Sequence, residues 1–124
     1  MEVAYPTAVV TTVVFSDGTV SVLRSTGGGF FGGGDDAVQR AGRGFLKRAN
    51  SYLSLMQITK EFPEPSIGGV RFYVRAHDEV LSASVQEADL QKHDHPLFQF
   101  YCAGIQILHE YLALQNRTSS AAQQ

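Results

Sequence analysis

The sequence has a single cysteine, no tryptophan and a net charge of only -2. One cysteine excludes an intrachain disulfide framework. No apolar run reaches the roughly 18 residues that a membrane-spanning helix needs, and the first residues lack the basic and apolar regions of a secretory signal. With ten Lys and Arg against twelve Asp and Glu, the chain lacks the basic excess of a dedicated nucleic-acid binder. We therefore expect a cytoplasmic protein with no membrane segment, and we do not expect nucleic acid as its main partner.

The length and the apolar content of the chain favour one globular domain. A chain of 124 residues that is 44% hydrophobic buries roughly two thirds of its unfolded surface when it folds. The last residues, 116–124, contain no bulky apolar side chain, and chain ends of this kind are poorly ordered. The composition therefore predicts a single α+β domain over residues 1–115 and a disordered tail over residues 116–124.

The first predicted strand pair surrounds Asp17-Gly18. Residues 8–15 and 19–25 are rich in Val and Thr, which favour strands, and Asp-Gly between two such runs is a strong hairpin signal. A two-residue turn would place four apolar residues on one face of the hairpin: Val13, Phe15, Val20 and Val22.

The second predicted hairpin joins residues 70–76 to residues 80–85 through a turn near residues 77–79. Apolar and polar residues alternate in both strands, so one face of this hairpin should pack on a core. The other face carries a mixture of basic and aromatic side chains: Arg71, Tyr73 and Arg75. Because sheet surfaces of this composition bind single-stranded nucleic acids, weak binding of this kind is the second alternative function.

Two helices are predicted, one over residues 36–57 and one within the apolar segment 97–114. Residues 53–62 fit the end of the first helix or an extra strand equally well. The chain therefore reads hairpin, loop, helix, and then the same order again. This order predicts a two-layer α+β sandwich, with a four-stranded antiparallel sheet and two helices on one face (ββαββα, with an internal pseudo-repeat).

The second helix is apolar over more than the arc of about 100° that a surface helix needs. Apolar surface that a fold does not cover usually marks an interface. The sequence therefore predicts a homodimer, and five residues of this helix are expected at its interface: Phe98, Tyr101, Ile105, Leu108 and Leu112.

Residues 27–34 contain six glycines, which are costly to hold in a regular element. A Gly-x-Gly-x-x-Gly spacing occurs here without the parallel strand-helix-strand context of a dinucleotide site. We expect a mobile loop that contacts a partner or a small ligand through four residues: Gly29, Phe30, Phe31 and Gly32. A disordered surface loop without a function fits the same composition.

His93-Asp94-His95 precedes Pro96, a residue that suits the first turn of a helix. In an extended segment His93 and His95 would point the same way, as metal ligands do, but a catalytic zinc needs a third protein ligand and the sequence defines none. We therefore predict no metal or cofactor. The main hypothesis is a small prokaryotic homodimer that binds a protein or a small molecule rather than catalysing a reaction; the first alternative is a metal-dependent or histidine-using enzyme centred on these histidines.

Overall fold

The computed structural model describes residues 1–30 and 36–123. Its strands are β1 (Glu2–Ala4), β2 (Val9–Val14), β3 (Val20–Arg24), β4 (Gly29–Phe30), β5 (Gln57–Ile58), β6 (Gly69–Ala76) and β7 (Glu79–Gln86). Its helices are α1 (Asp36–Tyr52), α2 (Glu87–Leu90) and α3 (Phe98–Gln123), and a 3-10 turn covers Leu53–Leu55. The strands form an open antiparallel sheet in the order β4-β3-β2-β1-β6-β7-β5.

The α+β class is confirmed, but the predicted four-stranded sheet with two helices is wrong. The described residues add three strands, β1, β4 and β5, and the short helix α2. Strands of two or three residues are too short to produce a periodic signal in the sequence. The largest consequence concerns β1, because Glu2 pairs with Thr11 on one side and with Arg71 on the other. The N-terminal strand thus joins the two hairpins in the middle of the sheet.

The first hairpin lies where the sequence predicts it, but its turn is longer by one residue. The Phe15 N–H donates to the Thr19 carbonyl (2.9 Å), so the loop comprises residues 16–18. Gly18 adopts a left-handed conformation (φ +91°), and the Asp17 carboxylate accepts hydrogen bonds from the N–H and the hydroxyl of Thr19 (2.9 and 2.7 Å). These features belong to a three-residue hairpin loop rather than to the expected two-residue turn.

The longer loop reverses which side chains of β2 face the core. A shift of one residue moves every side chain of a strand to the opposite face, and Val14 now pairs with Val20. Thr12, Val20 and Val22 are buried, whereas Phe15 is 50% exposed at the tip of the hairpin. The predicted apolar face of Val13, Phe15, Val20 and Val22 is therefore wrong in its β2 half.

The second hairpin and its core face are confirmed, with a turn of two residues, 77 and 78. β6 and β7 pair along their whole length, and His77 and Asp78 both adopt left-handed conformations (φ 53° and 65°), as the two-residue turns of hairpins require. Val70 and Phe72 are fully buried. Side chains alternate along a strand, so Arg71 lies on the opposite face, away from the helices.

The core lies between one face of the sheet and the helix pair α1 and α3, which pack against each other. Phe100 of α3 is fully buried and stacks on Phe45 and Tyr52 of α1 (ring centroids 4.4 and 5.0 Å apart). It also stacks on Phe72 of β6 (4.7 Å). One aromatic ring therefore connects both long helices to the second hairpin.

The segment between α1 and β6 combines both interpretations of residues 53–62. Helix α1 ends at Tyr52, and a 3-10 turn then leads into the two-residue strand β5. At the other end of the chain, α3 continues to Gln123, through residues for which the composition predicts a disordered tail; the division into a domain and a tail stays a prediction. Within the two described ranges, no helix is both long enough and apolar enough to span a membrane.

Candidate functional site

A cleft of about 540 Å³ lies at the edge of the sheet where β5 pairs with β7. We call it the edge cleft. Because β5 pairs with β7 only at Leu81 and Ser82, the following part of β7 borders the cleft instead of another strand. Its polar lining consists of Gln57, Thr59, Arg71, Ser82, Ser84 and His95. Its apolar lining consists of Leu55, Ile58, Ala83, Pro96 and Leu97.

Arg71 is the central polar group of the edge cleft. It lies on β6 in register with Ser84 of β7 and with Glu2 of β1. Its Nε is buried, and within the described chain no atom accepts a hydrogen bond from it. The Glu2 carboxylate instead accepts a hydrogen bond from the Thr11 hydroxyl (3.2 Å). A buried donor without an acceptor is costly, so this guanidinium is suited to pair with a bound acceptor.

The charges around the edge cleft favour an anion. Among the residues that the structure describes, the lining contains Arg71 and no Asp or Glu, although the chain has more acids than bases. The start of α3 also borders the cleft through residues 95–97, and the N-terminus of a helix carries a partial positive charge. The full positive charge of Arg71 therefore matches a ligand with a single negative charge.

His95 lies in the lining as a hydrogen-bond donor. Its Nδ1 accepts a hydrogen bond from the Leu97 N–H (3.0 Å) at the start of α3, so the neutral ring carries its proton on Nε2. His93 has a different environment, because its ring stacks on Phe98 (4.5 Å). Over the described residues, no three His, Cys, Asp or Glu side chains lie close enough together to hold a metal ion.

The five predicted interface residues of α3 follow one stripe of the helix surface. Phe98, Tyr101, Ile105 and Leu108 are half-buried, and Leu112 is 52% exposed. A neighbouring stripe faces the core and is buried: Leu97, Phe100, Ile107 and Tyr111. The chain itself therefore covers more of this helix than the sequence suggests.

Tyr101 is the polar member of that stripe. Its hydroxyl donates a hydrogen bond to Glu87 Oε2 of α2 (3.1 Å). Burial, and then the neighbouring Glu87 carboxylate, raise the pKa of the Tyr101 hydroxyl. This residue consequently stays a neutral donor that holds α2 against α3.

Two residues of the glycine-rich segment form a short strand. Gly29 and Phe30 form β4 and pair with Leu23 and Val22 of β3. A Cβ at Gly29 would overlap the Val22 carbonyl, so only glycine fits this pairing. β4 and β5 are opposite edges of the sheet, which separates these two residues from the edge cleft. Phe31 and Gly32 lie outside the described residues.

The basic and aromatic face of β6 is partly covered by the chain itself. The Tyr73 hydroxyl donates to the Pro63 carbonyl (2.7 Å), and its ring packs against Phe62 (5.5 Å). Arg75 of the same face is exposed. A base that stacked on Tyr73 would have to displace Phe62.

Sequence reasoning singled out Arg71 and His95 for other roles and missed the edge cleft that they share. The cleft depends on β5 and on the start of α3, which only the fold brings beside β7. The one signal in the sequence is the position of Arg71 in a strand whose apolar residues alternate with polar ones. Comparisons of the chain with protein-family models, curated proteins and solved structures find no match, so the geometry alone carries the functional argument.

Proposed function

We propose that this protein binds a small organic anion in the edge cleft, with Arg71 as the group that anchors it. The observation that carries the proposal is Arg71, which lines the cleft of about 540 Å³ and whose buried Nε has no hydrogen-bond acceptor in the described chain. Guanidinium groups form strong, charge-assisted hydrogen bonds with carboxylates and phosphates. Such a ligand would pair with the Arg71 guanidinium.

The polar groups of the lining favour binding over catalysis. Ser82 and Ser84 supply hydroxyls, but a serine nucleophile needs a general base beside it. His95 is poorly suited to that role, because its Nδ1 already accepts the Leu97 N–H and its Nε2 carries the proton. Together these residues offer hydrogen-bond donors to an anion.

The test is an NMR chemical-shift titration with acetate and, in a separate arm, with inorganic phosphate. The matched control is Arg75, which lies on the same strand and the same face but outside the edge cleft. Hydrogen bonds to charged groups contribute about 1.5–3 kcal/mol, so Arg71→Met should weaken binding about 10- to 100-fold, whereas Arg75→Met should leave it unchanged. Equal binding by both variants, or no saturable shift in the lining residues, would contradict the proposal.

A second proposal concerns assembly: the α3 stripe forms the interface of a homodimer. The supporting observation is its spacing, which alternates between three and four residues as in a coiled-coil seam, together with the exposure of Leu112. A self-complementary helix stripe suits a two-fold interface.

Sedimentation equilibrium of two charge variants tests this assembly. Leu112→Glu would put a charge into the seam and should weaken the dimer at least tenfold, since a buried unpaired charge is costly. Phe15→Glu is the control, because Phe15 is equally exposed at the hairpin tip. A wild-type protein that stays monomeric at high concentration would rule the dimer out.

A further inference from the structure

We infer that the ligand is an amphipathic carboxylate, with its carboxylate at Arg71 and an apolar tail against Leu55 and Ile58. This inference rests on the proposed function and adds the chemical class of the ligand. It follows from the way in which the polar and apolar residues of the edge cleft are divided between the two faces of the sheet.

The register of the strands separates the lining by polarity. Gln57 pairs with Ser82, and Arg71 pairs with Ser84, so these four side chains share the face of the sheet that lies away from the helices. Ile58 pairs with Leu81, which packs against the core, and therefore lies on the helix-covered face. The edge cleft is thus polar at one face of the sheet and apolar at the other.

The apolar part of the cleft exposes large side chains to water. Leu55 is 48% exposed and Ile58 is 59% exposed, and both belong to the lining. The free energy decreases when a ligand covers apolar surface and removes it from water. An inorganic anion would satisfy Arg71 and leave these two side chains in water, whereas an alkyl or aryl carboxylate would cover both.

The head group is assigned from the number of charges. In the described lining Arg71 is the one Lys or Arg side chain, and a carboxylate carries the single negative charge that one guanidinium neutralises. Its two oxygens also fit the fork of the guanidinium. The hydroxyls of Ser82 and Ser84 lie on the same face and supply further donors.

The experiment compares acetate, butyrate, hexanoate and octanoate by NMR titration, with each kept below its micelle concentration. A buried methylene contributes about 0.8 kcal/mol, so affinity should rise by up to about fourfold per methylene while the tail remains in the cleft. Hexylamine, with the opposite charge, should not bind at Arg71.

Two variants and one control locate the tail. Leu55→Ser and Ile58→Ser should each lower the affinity for octanoate about tenfold and leave that for acetate unchanged. Ile67→Ser is the control, because Ile67 is 70% exposed and lies outside the lining. The use of two independent positions guards against a disturbance of β5 by one of them.

The outcomes separate this inference from the proposed function. Arg71-dependent acetate binding without any gain from chain length would overturn the amphipathic ligand and leave the anion site standing. A chain-length effect that survives Arg71→Met, and that hexylamine shares, would also overturn it, because it would show apolar adsorption alone. The absence of any Arg71-dependent binding would overturn the proposed function itself.

Discussion

Each of the two hairpins contains a buried side-chain atom that has no hydrogen-bond partner in the described chain. The surroundings of these two atoms differ. Thr12 Oγ1 belongs to the first hairpin and Arg71 Nε to the second. Thr12 is 2% exposed and lies on the core-facing side of β2, whereas Arg71 lies on the opposite side of the sheet and lines the edge cleft. A buried unpaired polar atom therefore indicates a binding site only where there is room for a ligand. In a packed core it only lowers stability.

Both hairpins should unfold as one cooperative unit, and Phe100→Ala is expected to have the largest effect on its stability. The substitution removes the ring that stacks on Phe45, Tyr52 and Phe72. A Phe→Ala change in a core costs about 3–5 kcal/mol, which urea unfolding followed by circular dichroism would measure. Phe15→Ala, at the exposed hairpin tip, should change the free energy of unfolding by less than about 0.5 kcal/mol. Separate transitions for two parts of the sheet would contradict a common core.

A buried amino group that is hydrogen-bonded to the first hairpin makes the stability of the protein depend on pH. The α-amino group of Met1 donates to the Thr12 carbonyl (2.9 Å), and its burial lowers its pKa from 8.0 to about 6. Below pH 8 the amine of the unfolded chain binds a proton that the folded chain does not bind until about pH 6. The free energy of unfolding should therefore fall by about 2 kcal/mol as the pH decreases from 8 to 6.

Denaturant unfolding at a series of pH values measures this change, and acetylation of the Met1 amine supplies the control. The acetylated chain has no amine to titrate, so its stability should lose this component of the pH dependence. The same slope in both forms would assign the effect to another group.

The smallest expected change in stability comes from Thr12→Val, and it distinguishes the two unpaired atoms most clearly. Thr12→Val removes a buried hydroxyl without a partner and should raise the free energy of unfolding by about 1 kcal/mol, with no change in acetate binding. Arg71→Met should weaken acetate binding about 10- to 100-fold without lowering the stability of the ligand-free protein. Thr11→Val is the matched control, because the Thr11 hydroxyl donates to Glu2 and its loss brings no gain. A loss of stability in Thr12→Val would mean that its hydroxyl has a partner after all.

The parts of the fold that sequence reasoning recovered are those with a long periodic signal. The second hairpin, its turn and its core face follow from alternation over residues 70–85, and the start of α1 follows from helical periodicity. The first hairpin was located by Asp17-Gly18, but its register depended on whether the loop has two residues or three. The hydrogen bonds of Asp17 to Thr19 and the left-handed Gly18 decided that point, and two-residue and three-residue loops share the same Asp-Gly signal.

The site was less accessible to prediction than the fold. Arg71 and His95 are both visible in the sequence, one as part of a strand and the other beside a proline. Their common cleft requires β5 to stop after two residues and the start of α3 to lie beside β7. Neither condition has a local signal, because both are set by contacts between distant segments.

The local pattern of apolar, polar and glycine residues determined by itself that this chain forms hairpins and helices with one buried face, since side-chain periodicity and turn preferences act over a few residues. Tertiary structure decided the rest. It placed Glu2–Ala4 between the two hairpins, moved the β2 side chains to their final faces, and left the Arg71 Nε unpaired in a residue that lines the edge cleft. Strand pairing and burial are settled only when the whole sheet and its helices meet.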